Sequence, residues 1–550
     1  MVNKSKVFKS TAMVAAVAGL SIGAVSLVSG LEVKPMPAPT EGKGSWMVGD
    51  LHTHTVESDD SRTTQTLDFL LDKALGTYKL DWMILSNHLR SSKYDQNGNL
   101  LPKPVPFAYA MASIEIPHVK DMQAGGTYAD KMILSAAEWD MPTHDHANVV
   151  MFENESTLET STDGAKEFQY LFTTLSESLF NPQDVAAWKN RNGSVRPNQT
   201  GADALSAIAW LKTHYPTTSF ATINHPSRNP NKYTIKDFRQ MNDLAPDIVF
   251  MIEGMVGNQM EPDRGGYTSA YIDANLPNRT YGGVDAVVAK VGGVWDALLG
   301  EGRHVWNIAN SDSHFKIDAA SNSSGYYPGE YSKNYVWMPD SNQDTATGLI
   351  SSLRDGRMFG VFGDLINALD FRIVGSSGTA FMGQEIKVGA GEKIKLTIRF
   401  KSPDLNNYLK PVDSNTLANM KPVVNHVDLI VGDVTPKASP DSAAYTVATN
   451  PSTRVLKRFT AADWKVGKDG FASVTVQLVA NKNQYFRLRG TNLAVDAPGF
   501  SYNGEPLADQ KTWVLNNQGG VDNNGRVNAI NDRNYSSLWF YSNPVFVSVK

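Results

Sequence analysis

The chain has 550 residues, 41% of them apolar and 19% charged, which is enough to bury a core larger than that of one ordinary domain. Its formal net charge of −5 lacks the basic excess typical of nucleic-acid-binding surfaces, so we expect no nucleic-acid partner. The chain contains no cysteine, which excludes disulfide scaffolds, thiol nucleophiles, zinc fingers and iron–sulfur sites. Any metal site must therefore use Asp, Glu and the 11 histidines.

Residues 1–30 have the pattern of an export signal. Lys4, Lys6 and Lys9 precede an uncharged apolar stretch over residues 11–28, which is followed by small residues. The stretch is also about long enough to span a bilayer, so an uncleaved membrane anchor is the alternative. Residues 31–45 are rich in Pro and Gly and predict a tether. We therefore expect an exported protein, periplasmic or extracellular, that is either released or membrane-anchored.

Seven short apolar runs follow the tether, and each lies next to polar or ionisable residues. Continuous apolarity over so few residues is typical of strands buried on both faces, as in a parallel sheet. Amphipathic segments at residues 66–75, 202–214 and 284–299 predict helices between them. Alternating strands and helices predict an α/β fold, and functional groups at the strand ends favour a closed barrel over residues 46–363. The runs are residues 46–51, 82–85, 132–137, 147–152, 220–223, 248–252 and 305–309.

The pattern changes over residues 364–550. Segments such as residues 386–388, 394–400 and 427–431 alternate apolar and polar side chains, and clusters of Gly, Asn, Asp and Pro separate them. Period-two strands at short spacing predict an antiparallel β-sandwich. We expect this second domain to stabilise or cover the first one.

The strongest local motif is His52-Thr53-His54. Because side chains alternate along a strand, both imidazoles lie on one face and supply half of a metal coordination shell. Six of the 11 histidines stand at predicted strand ends, beside carboxylates, which exceeds the needs of one four-coordinate ion. The alternative is a set of buried, hydrogen-bonded histidines without metal. The further candidate ligands are His88, Glu138, His146, His225, Asp312 and His314.

These motifs, with Asp50-Leu51 before His52 and Ser58-Asp59 after it, resemble the polymerase and histidinol phosphatase (PHP) superfamily over residues 46–363. The resemblance implies a distorted seven-stranded β/α barrel with two or three divalent metal ions. It also implies three ligand sets, with Glu138 shared by the first two. These sets are His52, His54, Glu138 and Asp312; Glu138, His146 and His225; and Asp59, His88 and His314.

The sequence departs from the family pattern at one position and leaves a second open. Asn87 stands where the family usually has an aspartate before the histidine, which removes a carboxylate that could orient His88. Asp60 follows Asp59, and the sequence leaves open which of the two is the ligand. The C-terminal region resembles that of exported members of the superfamily, including carbaryl-hydrolase-like ones, through Gly356-Arg357 and the segment at residues 542–547.

The chemistry that follows from clustered cations is hydrolysis, because they activate a bound water and stabilise developing negative charge. We expect a small-molecule ester substrate, preferably phosphorylated, and Zn, Mn or Fe as the metal. Arg90 and Arg228 are candidates to bind phosphate oxygens, with an ordinary salt bridge as the alternative. His144 is a candidate proton donor to the leaving group, or an exposed loop residue, and Glu253 is a candidate acceptor behind a ligand.

Two other functions remain open at this level. The same metal centre could hydrolyse a carboxylic or carbamate ester, which an apolar pocket without nearby arginines would favour. A non-catalytic, metal-dependent binding protein is the third hypothesis, motivated by Asn87 and by the large second domain.

Overall fold

The computed structural model describes residues 43–229, 231–257, 279–314, 326–340, 345–408, 417, 419–509 and 532–550. The predicted export signal and residues 31–42 of the predicted tether lie outside these ranges. The last two tether residues, Gly44 and Ser45, instead begin the first strand. Within the described ranges, no helix combines the length and the apolar character needed to cross a bilayer.

The described part of the chain is rich in strands, which we number in chain order. They are β1 Gly44–Thr53, β2 Trp82–Leu85, β3 Ser91–Tyr94, β4 Leu100–Pro106, β5 Met132–Ser135, β6 Ala137–Asp140, β7 His146–Met151, β8 Ser219–Ile223, β9 Val249–Val256, β10 Trp306–Asn310, β11 Ser332–Pro339, β12 Met358–Phe362, β13 Ala368–Gly375, β14 Gly378–Phe381, β15 Glu385–Val388, β16 Glu392–Lys401, β17 His426–Asp433, β18 Arg454–Thr460, β19 Lys465–Val466, β20 Ala472–Ala480, β21 Gln484–Thr491, β22 Ser501–Tyr502, β23 Glu505–Pro506, β24 Trp539–Ser542 and β25 Val545–Val549.

Ten α-helices with described bounds lie before residue 355, and residues 532–536 are also helical. The ten are α1 Leu67–Leu71, α2 Phe107–Ala110, α3 Ile116–Ala124, α4 Thr162–Phe172, α5 Pro182–Asn192, α6 Gly201–His214, α7 Ile235–Leu244, α8 Ala286–Ala289, α9 Val294–Leu299 and α10 Ala346–Arg354. Helix α6 begins at a capping box in which Thr200 and Asp203 satisfy each other's backbone amides. The helix predicted over residues 284–299 forms as α8 and α9 instead, because Gly292 adopts a φ of 76° between them.

No closed barrel is found among the described strands, although the α/β class is confirmed. Strands β1, β2 and β5 are parallel neighbours in one sheet, and β6 to β10 form a second, five-stranded sheet. Residues 44–49 of β1 pair with the antiparallel β11 and residues 49–53 pair with β2, and no ladder of the described strands joins β1 to β10. Two isolated bridges link the sheets instead, Thr53 with Ser313 and His88 with Glu138.

The chain changes sheets at Ala136, within the apolar run predicted as one strand. Residues 132–135 belong to the first sheet, whereas residues 137–140 begin the second. The predicted parallel pairing is present between β8, β9 and β10 as well, but β7 is antiparallel to both β6 and β8. Apolar runs buried on both faces do not encode strand direction, which is why the sequence pattern failed here.

A close backbone approach fixes the position of β1. Gly49 pairs with Trp82 of β2, and a Cβ added at Gly49 would lie 2.1 Å from the Trp82 indole ring. A glycine is therefore required directly before the Asp50-Leu51-His52 motif. Helix α1, which follows β1 in the chain, packs Leu67, Leu70 and Leu71 into a smaller apolar core that includes residues of β2.

The C-terminal strands extend the first sheet and add a third one. The large sheet has the order β15-β25-β21-β24-β12-β11-β1-β2-β5. In addition, β17 pairs with β21, and β18 pairs with β17. Strands β14, β13, β16, β20 and β19 form a separate antiparallel sheet. The predicted period-two strands are therefore present, but one sheet runs across residues 363 and 364. The domain boundary placed there stays a prediction, as does the sandwich.

A buried ion pair connects the two halves of the chain. The Arg487 guanidinium of β21 donates from Nε and Nη2 to Asp296 of α9 at 2.8 and 2.7 Å, and both side chains are fully buried. The Tyr485 hydroxyl donates to the same carboxylate at 2.9 Å.

We predict that Arg487→Leu lowers the free energy of unfolding by about 3–5 kcal/mol, because it leaves a buried charge without its partner.

Equilibrium denaturation measures this loss. The matched control is Lys421→Ala, which removes an exposed pair with Asp404 and is expected to change stability by less than about 0.5 kcal/mol. A denaturation midpoint of Arg487→Leu equal to that of the wild type would contradict the prediction.

Candidate metal centre

The end of β1 supplies two buried imidazoles on one face, as its alternation predicts. The Nε2 atoms of His52 and His54 lie 3.0 Å apart. Asp50 holds this segment, because its carboxylate accepts hydrogen bonds from the backbone amides of His52 at 2.9 Å and Ser311 at 3.0 Å. Burial raises the pKa of Asp50 to about 7. The β1 end is thereby tied to the segment after β10.

The first predicted ligand set comes together. His52 Nε2 lies 3.1 Å from Glu138 Oε1 and 3.2 Å from Asp312 Oδ1. His54 Nε2 lies 3.4 Å from Glu138 Oε2 and 3.1 Å from Asp312 Oδ1. Behind this group, His52 Nδ1 is 3.0 Å from Glu253 Oε2, so the carboxylate at position 253 orients the ring as expected.

The second predicted set shares Glu138. His146 Nδ1 lies 3.0 Å and His225 Nε2 lies 3.3 Å from Glu138 Oε1. His225 and Asp312 have φ values of 28° and 47°. Non-glycine residues rarely adopt such values, each of which costs about 1–3 kcal/mol, and strain of this kind concentrates at functional sites.

In the third predicted set, Asp60 contacts both histidines, and Asp59 stays a candidate ligand. His88 Nε2 and His314 Nε2 each lie 3.2 Å from Asp60 Oδ2. Asp59, the residue predicted there, instead accepts a hydrogen bond from Arg90 Nη1 at 3.2 Å, although its carboxylate remains within ligand range of Asp60 and His88. Residues 58–61 form a turn rather than a strand, so period-two alternation could not decide between the two aspartates.

Glu138 lies at the centre of the cluster. Burial alone would raise its pKa, but the charges of His146, His52 and His88 outweigh that effect and hold the pKa well below its usual value. The carboxylate is therefore ionised, and its Oε1 also accepts a hydrogen bond from Asn224 at 2.8 Å. Its two oxygens lie within 3.4 Å of the five imidazoles of His52, His54, His88, His146 and His225.

The donor atoms fit divalent cations. Glu138 Oε2, His88 Nδ1 and both ring nitrogens of His225 are buried and make no hydrogen bond of suitable geometry with the described residues. Leaving such atoms unsatisfied costs about 1–3 kcal/mol each, and a cation between them would satisfy them. Burial, followed by the charges of His314 and His88, lowers the pKa of His54, so this ring is in the neutral form that ligates metal.

Arg90 and Arg228 both reach the cluster at His146. Arg90 Nη2 lies 3.4 Å from His146 Nε2, and Arg228 Nη2 lies 3.3 Å from His146 Nδ1. Each guanidinium is also paired with a carboxylate, Arg90 with Asp140 and Arg228 with Asp145. The salt bridges given as the alternative are therefore present, and the binding of phosphate oxygens by either arginine stays a prediction.

The contacts of His144 lie elsewhere. Its Nδ1 is 2.9 Å from the carbonyl oxygen of Pro142, and its Nε2 is 3.5 Å from Asp237 at the start of α7. The neighbouring Tyr233 packs on the ring at 5.1 Å between centroids. These contacts hold the loop to α7, and the His144 side chain is only 7% exposed, so it is not the exposed residue of the alternative. Its proton-donor role stays a prediction.

Asn87 organises the backbone around the site. Its side-chain oxygen accepts hydrogen bonds from the amide of Thr55 at 2.6 Å and from its hydroxyl at 3.1 Å, and its Nδ2 donates to Glu115 at 2.9 Å. It thus holds the turn after His54. Orientation of His88 comes instead from Asp60 and Glu138.

Sequence reasoning missed two carboxylates. Asp140 contacts both His146 and Arg90, and buried Asp145 lies 3.6 Å from His225 Nδ1. Burial would raise the pKa of Asp145, but the charges of His225, Arg228 and His146 lower it to about 2. The spacing of Glu138 and Asp140 on one strand was an available signal, because residues two apart share a face.

Comparisons with known proteins give little further information. No protein-family model matches the chain, and no curated protein matches it. Among solved structures, the chain is similar to endonuclease Q in complex with a 27-mer duplex substrate that carries an abasic lesion at the active site. The identity is 11%, the match covers 56% of each chain, and the TM-score is 0.28. The match thus spans about half of that chain, and its TM-score is too low to assign a fold or a substrate.

One expectation is nevertheless corrected. The exclusion of nucleic acid as a partner conflicts with a structural neighbour that is an endonuclease bound to a duplex, and it is withdrawn. The physical reason is that net charge averages over all 550 residues. Bound cations would dominate the field at the centre itself, so the average does not exclude a polyanionic substrate there.

We predict that the metal-free protein loses stability as the pH rises from about 7 to 9. Burial lowers the pKa of His146, but Glu138 and Asp140 outweigh burial and raise it from 6.5 to about 9. The folded state therefore binds an extra proton in this window, and the free energy of unfolding falls by up to about 1.4 kcal/mol per pH unit.

Urea denaturation of chelator-treated protein at several pH values measures this slope. His146→Gln removes the titrating group and is expected to flatten the slope between pH 7 and 9. The assignment is wrong if the variant and the wild type show the same dependence on pH.

Proposed function

We propose that the protein is a multinuclear metal-dependent hydrolase of the PHP type that acts on ester bonds, with a phosphoester as the favoured substrate. The observation that carries this proposal is the contact of one ionised carboxylate, Glu138, with five imidazoles, four of them buried. Packing and hydrogen bonding alone do not explain such a cluster, because it leaves buried donor atoms unsatisfied. We also propose export, on the basis of the N-terminal sequence pattern.

In this proposal, some residues of the cluster would bind the cations and others would orient the binding residues. His52, His54, Glu138 and Asp312 would hold one cation. Glu138 with His146 and His225 would hold a second, and Asp60 with His88 and His314 would form a further position. When bound, such cations lower the pKa of a water ligand toward neutrality and stabilise negative charge on the substrate. Glu253 and Asp145 would keep His52 and His225 in orientation.

The two arginines favour a phosphoester over a carboxylic or carbamate ester. A guanidinium has five N–H donors, and the carboxylate partners of Arg90 and Arg228 use only some of them. The remaining donors can bind phosphate oxygens, which a carbamate does not offer. Arg90 is 32% exposed and its partner Asp140 is 49% exposed, so substrate would approach from this side.

The non-catalytic hypothesis loses part of its basis. It depended on Asn87 as a defect in the third ligand set, yet Asn87 contacts Thr55 and Glu115 rather than a candidate ligand. Asp60 takes the position beside His88 and His314.

We predict that protein loaded with Mn²⁺ or Zn²⁺ hydrolyses p-nitrophenyl phosphate or its diester faster than p-nitrophenyl acetate. His52→Ala is expected to reduce this activity by at least about 100-fold, because it removes a ligand from the shared centre. His118→Ala is the matched control, since His118 lies in an exposed pair with Asp68. A duplex with an abasic site belongs in the same panel.

Two outcomes would contradict the proposal. Metal-loaded protein that turns over none of these substrates removes the enzyme function, and full activity of His52→Ala removes the mechanism. Preference for the acetate would instead favour the carboxylic or carbamate ester hydrolase.

A further inference from the structure

Strand β6 carries two carboxylates toward the same side. Glu138 and Asp140 are two residues apart, so their side chains leave the same face of the strand. The antiparallel register with β7 pairs Asp140 directly with His146. The pairing of β6 with β7 therefore places two carboxylates next to the His146 imidazole, the buried one of Glu138 and the more exposed one of Asp140.

The His146 ring spans these two carboxylates. Its Nδ1 lies 3.0 Å from Glu138 Oε1, and its Nε2 lies 3.0 Å from Asp140 Oδ1. A carboxylate on one nitrogen fixes the ring orientation and the tautomer, and makes the other nitrogen a stronger ligand. In this arrangement, Asp140 leaves the nitrogen beside Glu138 available to a cation.

The same carboxylate holds Arg90 in a two-point contact. Arg90 Nε donates to Asp140 Oδ2 and Nη2 donates to Oδ1, both at 2.7 Å. Two parallel hydrogen bonds restrict a guanidinium far more than one does. Asp140 Oδ1 thus contacts His146 and Arg90 together, and Arg90 Nη1 continues to Asp59 at 3.2 Å.

We propose that Asp140 is a positioning residue that couples metal retention at the Glu138, His146 and His225 set to substrate binding by Arg90. The proposal rests on the hydrolase function proposed above. An isolated, half-exposed salt bridge contributes little to stability, so a merely structural Asp140 would affect neither metal affinity nor the Michaelis constant. A shared carboxylate affects both, because its removal frees the ring and the guanidinium at once.

The test compares Asp140→Asn with the wild-type full chain. Asn preserves shape but loses the charge, so we expect the affinity for Mn²⁺ or Zn²⁺ to fall about 10- to 100-fold in competition with a chelator. KM for p-nitrophenyl phosphate at saturating metal is expected to rise, with a smaller change in kcat. Asp140→Glu keeps the charge and is expected to restore part of both properties.

Asp68→Asn is the matched control. It alters an exposed histidine–carboxylate pair, with 2.6 Å between His118 Nε2 and Asp68 Oδ1, and is expected to match the wild type in both measurements. A double-mutant cycle with Arg90→Lys adds a second readout. The effects on KM should be non-additive, since both changes break the same contact.

The outcomes separate this inference from the proposed function. If the wild type binds metal and turns over substrate while Asp140→Asn has the same metal affinity and KM, only the role of Asp140 is overturned. If the effects of the two substitutions on KM are additive in the cycle, the coupling to Arg90 is overturned. Should Asp140→Asn fold poorly, the same cycle is measured with Asp140→Glu. Wild-type protein that binds no metal overturns both proposals.

Discussion

The buried carboxylate of Glu138 contacts imidazoles that come from the end of β1, the segment after β2, the start of β7 and the segment after β8. Packing several imidazoles together without partners would cost free energy, because charged rings repel one another and buried ring nitrogens need hydrogen-bond or metal partners. An ionised carboxylate at the centre of the cluster offsets this cost. The two sheets meet at this point, where His88 and Glu138 form a bridge. The position of the sheets and the chemistry of the centre therefore depend on the same residue.

Most residues of the cluster could be predicted because strand ends and alternation are local properties of the sequence. His52-Thr53-His54 needs only the period of a strand to place both rings on one face. Asp60 could not be separated from Asp59 in this way, because the turn that carries them has no such period. The role of Asp140 depends on its pairing with His146, and strand register is not visible in a single sequence.

The overall topology was less predictable for a physical reason. Buried apolar strands carry no signal for direction or for which neighbour takes each edge. Strand β11 pairs with residues 44–49 of β1 and continues the sheet toward β12 and β24, so β1 lies in a sheet that extends into the C-terminal region. The Arg487 and Asp296 pair then buries charge between segments nearly two hundred residues apart, a contact that neither composition nor periodicity could indicate.

We propose that Glu138 and the imidazoles around it hold metal ions, and anomalous diffraction can locate such ions. A crystal of the protein grown with Mn²⁺ or Zn²⁺, measured above and below the absorption edge of that metal, would locate each ion. We expect at least two anomalous peaks within reach of the candidate ligands around the Glu138 carboxylate. Metal-saturated crystals without a peak at the cluster, or with one peak out of reach of Glu138, would contradict the account.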